Sequence, residues 1–405
     1  MRRRGAAVLG ILAIAAAAAL VYSAFVPPLP PPPDRLVLVR ESFAALAGWA
    51  EDSHAQATPA FLRSCARIER RADGDDMGGH GIAGTAADWR QACAAAAKLA
   101  QGDDDAARRF LEAEFVPFAI HNNDDAGGLF TGYYEPTLKG SLRADNRHTV
   151  PLYRRPPDLV TAKLGAFDAD LAGRRIVGRV SDGRLAPYPS RADIDRGALA
   201  ARGLELVWVE DRVAAFFLHI QGSGRIELDD GALMRVGYGG QNGHAYVAIG
   251  RVLVARGALT PESVSLQSIR AWLLEHPDEA AALMAENPSY VFFRRIEGEG
   301  PIGAEGSVLT AGRSIAVDRR YLPLGVPMWL DATSPAPSGS GPDRPLRRVM
   351  IAQDTGGAIR GPVRGDVFWG HEAEAEAVAG RMKHRGRYYI LLPHAVAERV
   401  TSGAG

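Results

Sequence analysis

Residues 6–26 form one uncharged apolar run behind Arg2, Arg3 and Arg4. At 1.5 Å per helical residue such a run spans about 30 Å, the thickness of a bilayer's hydrocarbon core. It exceeds the usual signal-peptide core, and Tyr22-Ser23-Ala24 makes a poor cleavage site, so the pattern favours an uncleaved anchor over a removed signal. The arginines hold the start of the chain in the cytoplasm, and the remainder is exported. The Pro-rich residues 27–33 read as a semi-rigid spacer. Over residues 41–120 the pattern is helical: Phe43, Leu46 and Trp49 recur at helical spacing, as do Phe110, Leu111 and Phe115, with a Gly/Asp-rich loop at 72–84. From Gly128 the texture changes to short β-rich runs at 129–134, 149–153, 174–180, 205–210 and 213–221. Such runs suggest a small barrel or sandwich, with helical inserts at 159–171 and 190–202. Helices return over 244–286, where Thr260 caps a helix starting at Pro261 and Leu266, Ile269 and Leu273 form its apolar stripe. Pro277 ends that helix, and 278–286 form another. The last block predicts strands at 290–294, 314–317, 327–330, 348–353 and 388–392, with a helix at 372–381 and a patternless loop at 334–345.

Charge narrows the partners. Lys+Arg and Asp+Glu number 47 each, and phosphate binding needs a basic excess, so nucleic acid is not expected. Cys65 and Cys93 each sit in a helix-like stretch. An even count in an exported chain suggests a disulfide between them, the alternative being two free buried thiols. Two Cys do not make a metal site, and His219 and His244 have no third ligand spaced with them, so no metal and no cofactor are expected.

Three stretches concentrate polar groups among glycines: 130–136 (FTGYYEP), 219–224 (HIQGSG) with 238–246 (YGGQNGHAY), and 352–370 (AQDTGGAIRGPVRGDVFWG). The second suits a sugar. Gln221, Ser223 and Asn242 supply donors and acceptors, and Tyr238 and Tyr246 supply stacking faces. In the third, Asp354 enters a Gly-Gly turn, where an Asp also serves simply by bonding turn amides. Asp366 precedes Val367, Phe368 and Trp369. Such apolar surroundings raise a carboxyl's pKa and suit a proton donor near neutral pH, with Trp369 as a flat face for a sugar ring.

Together with 287–293 (NPSYVFF) and 317–325 (VDRRYLPLG), these motifs, in this order, resemble the membrane-bound lytic transglycosylase A (MltA) family over about residues 40–395. The resemblance implies a mixed, mainly β fold with N-terminal helices: a barwin-like double-psi β-barrel with a smaller β-barrel inserted, and a groove between them for a glycan strand. The implied divisions are 1–33 (anchor and spacer), 34–135 (helical part of the main domain), 136–290 (insert) and 291–400 (C-terminal three-aspartate part). It implies a peptidoglycan lytic exotransglycosylase, a carbon–oxygen lyase that leaves 1,6-anhydro-N-acetylmuramic ends. Its catalytic acid matches Asp366, with Asp354 and Asp318 in support. Thr131, Gln221, Ser223, Tyr238, Asn242, Tyr246 and Trp369 are candidates for holding the glycan. Arg360 and Arg364 stand equally as partners for a lactyl or peptide carboxylate and as solvated surface charge. Many relatives are outer-membrane lipoproteins held by an acylated Cys. No Cys closes the apolar run here, so the expected tether is the helix 6–26 and the expected place the periplasmic face of the inner membrane.

Overall fold

The computed structural model describes residues 32–298, 300–337 and 341–402. The expected anchor at 6–26 lies outside them. Among the described residues no helix is long and apolar enough to cross a membrane.

The described chain opens with a strand, Leu36–Arg40 (β1), and three helices, Thr58–Ile68 (α1), Ala86–Ala96 (α2) and Asp104–Glu114 (α3). Pro59 lies in the first turn of α1, a Thr85/Asp88 capping box starts α2, and the Asp103 carboxylate caps α3. Helix does not continue to 120. Phe115–Asn122 (β2) is a strand, because Pro117 has no N–H to extend α3 and the run pairs with β1 instead. Cys65 lies on the buried stripe of α1 with Phe61 and Ile68, and Cys93 on that of α2 with Trp89 and Ala96. The two stripes face each other and the cysteines are joined as expected. Their sequence separation of 28 corresponds to about 3–4 kcal/mol of loop-closure stabilisation. The double variant Cys65→Ala/Cys93→Ala is expected to lose about that much in urea unfolding. An unchanged midpoint would mean that helix packing alone suffices.

After β3 (Gly128–Tyr133) the chain leaves for the insert. Its strands are Thr137–Ser141 (β4), Val150–Tyr153 (β5), Val160–Lys163 (β6), Arg175–Ser181 (β7), Arg184–Pro187 (β8), Glu205–Val209 (β9), Ser223–Leu228 (β10), Leu233–Gln241 (β11) and Val291–Ile296 (β12). Six of them form a sheet in the order β12-β11-β10-β4-β9-β5, and a bridge between Arg154 and Phe293 joins its two edges. The remaining three form a separate sheet. The insert also carries helices Arg191–Asp195 (α4), Arg212–Gln221 (α5), Ile249–Ala255 (α6), Leu266–Glu275 (α7) and Pro277–Ala285 (α8). Strands Ser314–Val317 (β13), Pro327–Ser334 (β14), Arg344–Asp354 (β15), Arg364–Phe368 (β16) and Lys383–Pro393 (β17), with helices Ala373–Ala379 (α9) and His394–Thr401 (α10), complete the main domain. Its sheet runs β17-β14-β15-β13-β16-β3, and β3 pairs back onto β17, which closes a six-stranded barrel. Closure removes the exposed edges that an open sheet would leave.

Several expectations need correction. Residues 213–221 are α5, not a strand. The Asp211 carboxylate accepts from the N–H groups of Val213 and Ala214, Gly222 ends the helix at φ 78°, and burial on most sides erases the polar stripe that marks a helix. Residues 159–171 hold β6 and two single-turn 3-10 helices, Leu164–Ala166 and Ala169–Leu171; over 160–163 long-range pairing with β7 overrides a helical pattern. Only 191–195 of 190–202 is helical. The helix expected from Pro261 begins at Leu266, capped by Ser265, while Thr260 closes a turn with Ser263. Strand β12 pairs with β11 and so extends the six-stranded sheet to Ile296.

The N-terminal helices brace the barrel from outside. Asp52 holds Arg313 through two 2.8 Å contacts and accepts the Val349 N–H. Gln353, fully buried, donates to the Ala60 carbonyl and to Ser64 and accepts from Ser314. Side chains alternate along a strand, so pinning Gln353 against α1 turns its neighbour Asp354 to the other face.

Candidate active site

Four strands and one small side chain assemble the acids. β16 runs beside β3 with Asp366 opposite Thr131, and beside β13 with Asp366 opposite Ala316. On its other edge β13 meets β15, and an irregularity after Ile315 sets Ala316 against Asp354. Thr131, Asp366, Ala316 and Asp354 therefore form a row across the sheet, and residues opposite one another share a face. A methyl group in the middle leaves room for two carboxyls.

Asp366 sits between buried Gly365 and fully buried Val367, yet remains partly accessible. The Thr131 hydroxyl donates to its Oδ1 at 2.6 Å, and Arg364 Nη2 donates to Thr131 Oγ1 at 2.8 Å. Burial pushes the Asp366 carboxyl up to about 6. The Arg364 cation and the Thr131 bond pull against the rise, and the Asp354 charge adds to it. Asp354 is more fully engaged. Its Oδ1 accepts from the N–H groups of Ala304 (2.8 Å) and Thr355 (2.9 Å), and its Oδ2 from the Tyr133 hydroxyl (2.8 Å). Burial raises its pKa against those three donors. Asp318 lies just past β13 and is 2 % exposed. Its carboxylate accepts from Gly361 N–H at 2.8 Å and pairs with Arg320 at 2.6 Å. Burial raises its pKa, but the bonds from Arg320 and the amides outweigh that, and the group is held below the ordinary value. It fastens the loop that joins Asp354 to Asp366.

The other candidates separate. Thr131, a candidate for holding the glycan, turns its hydroxyl to Asp366. Tyr133, buried at 9 % exposure, turns its hydroxyl to Asp354, and Arg364 stands behind Thr131. A period-two reading of 129–133 carries the signal for both Thr131 and Tyr133, since alternate residues share one face. Nothing comparable marks Ala316 or Arg364. Gln221 closes α5, and its Oε1 accepts the Tyr134 N–H at 3.1 Å, which ties the insert to the end of β3. Ser223 is partly exposed, Tyr238 is 50 % exposed and Tyr246 38 %. Asn242 requires correction: it is 1 % exposed, donates to the Pro189 and Pro288 carbonyls and accepts from Tyr290 N–H, so its amide clasps backbone and has no face for a sugar. Trp369 also departs from expectation. Its ring packs with Tyr134, Ala375, Ala379 and Leu266 on the Gly132 side of β3, opposite the Thr131 side. His219 accepts the Val291 N–H, and His244 Nε2 lies 2.7 Å from the Tyr188 carbonyl, so each ring is engaged with backbone.

A closed barrel that carries one loosely held acid beside two clasped ones, with a second β sheet inserted after β3, defines a two-barrel, three-aspartate protein. Residues 129–294 match the MltA specific insert domain and residues 313–392 the 3D domain. Over 284 residues the chain is 34 % identical to membrane-bound lytic murein transglycosylase A of Escherichia coli strain K12, covering 69 % of this chain and 70 % of that protein. The crystal structure of a membrane-bound lytic murein transglycosylase from Agrobacterium tumefaciens matches with a TM-score of 0.80 at 36 % identity, covering 90 % of this chain and 99 % of the other. E. coli MltA with bound chitohexaose matches with a TM-score of 0.62 at 27 % identity, over 89 % and 92 %. The chain belongs to the membrane-bound lytic murein transglycosylase A family, and its closed ring is the double-psi barrel of those structures.

Proposed function

We propose that Asp366 is the single proton-transfer group with which this lytic murein transglycosylase cleaves peptidoglycan between N-acetylmuramic acid and N-acetylglucosamine. The observation that carries the reading is an accessible carboxyl raised to about 6 and bonded by one neutral donor, beside a second carboxyl whose lone pairs are already engaged. Protonated Asp366 gives its proton to the glycosidic oxygen as the C1–O bond breaks. The Arg364–Thr131 chain then stabilises the carboxylate left behind. That carboxylate takes the proton from the muramic C6 hydroxyl as its oxygen closes onto C1, which restores the acid. The nucleophile belongs to the substrate and is already at high effective concentration, so no second carboxylate is needed to activate water. Asp354 keeps a negative charge near Asp366, and Asp318 holds the connecting loop; neither transfers the proton.

Tyr238, Tyr246, Ser223 and Gln221 are assigned to the glycan path along the insert. Their exposure supports this for the tyrosines, and the E. coli complex with chitohexaose supports an oligosaccharide as the ligand type. Divisions near 135 and 296, a periplasm-facing place in the envelope and an inner-membrane tether through 6–26 complete the proposal. Mass spectrometry of muropeptides from purified sacculi tests the reaction. Products one water lighter than reducing ends are expected, and reducing muramic ends would instead make the chain a hydrolase.

A further inference from the structure

At one end of the insert barrel, away from the aspartate row, three turns converge on a buried histidine. His148, 1 % exposed, lies in the turn between β4 and β5. Its Nδ1 is 2.9 Å from Asp145 Oδ2, and the same carboxylate accepts the N–H groups of Arg147 and His148. The Asp145 carboxylate fixes the orientation of the ring and turns Nε2 outward. Nε2 faces Glu210 Oε1 at 3.4 Å, just past β9, and Asp229 Oδ1 at 3.7 Å, in the β10–β11 turn. It makes no hydrogen bond with either. A buried ring nitrogen that faces two carboxylates without bonding either is placed to serve as one ligand of a cation held between them.

We propose that His148 Nε2, Glu210 and Asp229 bind a divalent transition ion of the zinc type, with Asp145 orienting the imidazole. A tetrahedral site with bonds of about 2.1 Å has edges of about 3.4 Å, close to the two separations found. A carboxylate on the far nitrogen of a ligating histidine is the usual orienting arrangement. Arg147 is the competing cation: its Nη2 lies 3.2 Å from Glu210 and 3.4 Å from Asp229. Its side chain is 64 % exposed, so it swings into solvent when the ion enters. The ion ties together three turns of the insert and takes no part in bond cleavage.

Zn²⁺ titration by calorimetry into the tag-free, EDTA-stripped full chain at pH 8, with Co²⁺ absorption as a second readout, tests the site. One equivalent is expected to bind, with tetrahedral cobalt bands. Asp229→Asn and Glu210→Gln, at partly exposed side chains, are expected to abolish those bands. Asp145→Asn is expected to weaken binding about 10- to 100-fold, and Arg147→Ala to tighten it. Absence of binding, or equal affinity in the Asp229 and Glu210 variants, overturns the proposal and leaves Arg147 as the cation between the two carboxylates.

Discussion

Asp366→Asn is expected to lower release of anhydro-muropeptides from sacculi by about 100- to 10,000-fold, the range that a positioned general acid supplies. An amide keeps the shape and can accept the Thr131 hydroxyl at the position now occupied by Oδ1, but it gives no proton to a leaving oxygen. The fold should survive, and the sign of the stability change can be worked out. Asp366 keeps its proton in the folded chain up to about pH 6, while the ordinary carboxyl value is 3.8. The folded state therefore binds more protons between those values. The stability this group contributes is complete below about pH 4 and is lost as the pH rises through 6, a loss of about 3 kcal/mol once it is ionised. The amide never ionises, so at pH 8 the variant should melt at or above the parent's temperature while being inactive. Retained activity would move the acid elsewhere.

The second large effect is on pH dependence. If protonated Asp366 is required, kcat/KM falls above about pH 6, by about tenfold per pH unit. The neighbours should move this limb in opposite directions. Thr131→Val removes a donor that favours the carboxylate, so the limb shifts to higher pH. Asp354→Asn removes a like charge that disfavours it, so the limb shifts to lower pH. A purely structural role for either residue would lower the rate at every pH without moving the limb. Shifts of the same sign in both variants would contradict the assignment of Asp366 as the titrating group.

Much of this site was legible in the sequence. Asp366 could be picked out because its apolar neighbours Val367 and Phe368 are local, and local apolar surroundings alone argue for a raised pKa. The Cys pair could be read because an even cysteine count in an exported chain suggests a disulfide, and the structure joins the two. Element types failed where tertiary context overrides local pattern. The helix 212–221 is buried nearly all round and shows no polar stripe, and 160–163 is a strand only because 175–178 lies beside it. Asn242 and Trp369 were misread for a related reason: residue chemistry states what a side chain can bond, while packing decides whether anything is left to bond.

The sequence by itself determined the chemical inventory: one acid in an apolar setting, aromatic and amide side chains among glycines, a cysteine pair and the motif order of the family. Only the tertiary structure decided which of the three aspartates are clasped by several donors and which is left with one. Three aspartates at 318, 354 and 366 look alike as letters. Strand register brings Asp354 and Asp366 to either side of Ala316, backbone amides and Tyr133 engage Asp354, Arg320 and Gly361 engage Asp318, and Asp366 is left with a single hydroxyl. A carboxyl's proton affinity depends on the donors and charges within a few ångströms, and those come from segments far apart in the chain.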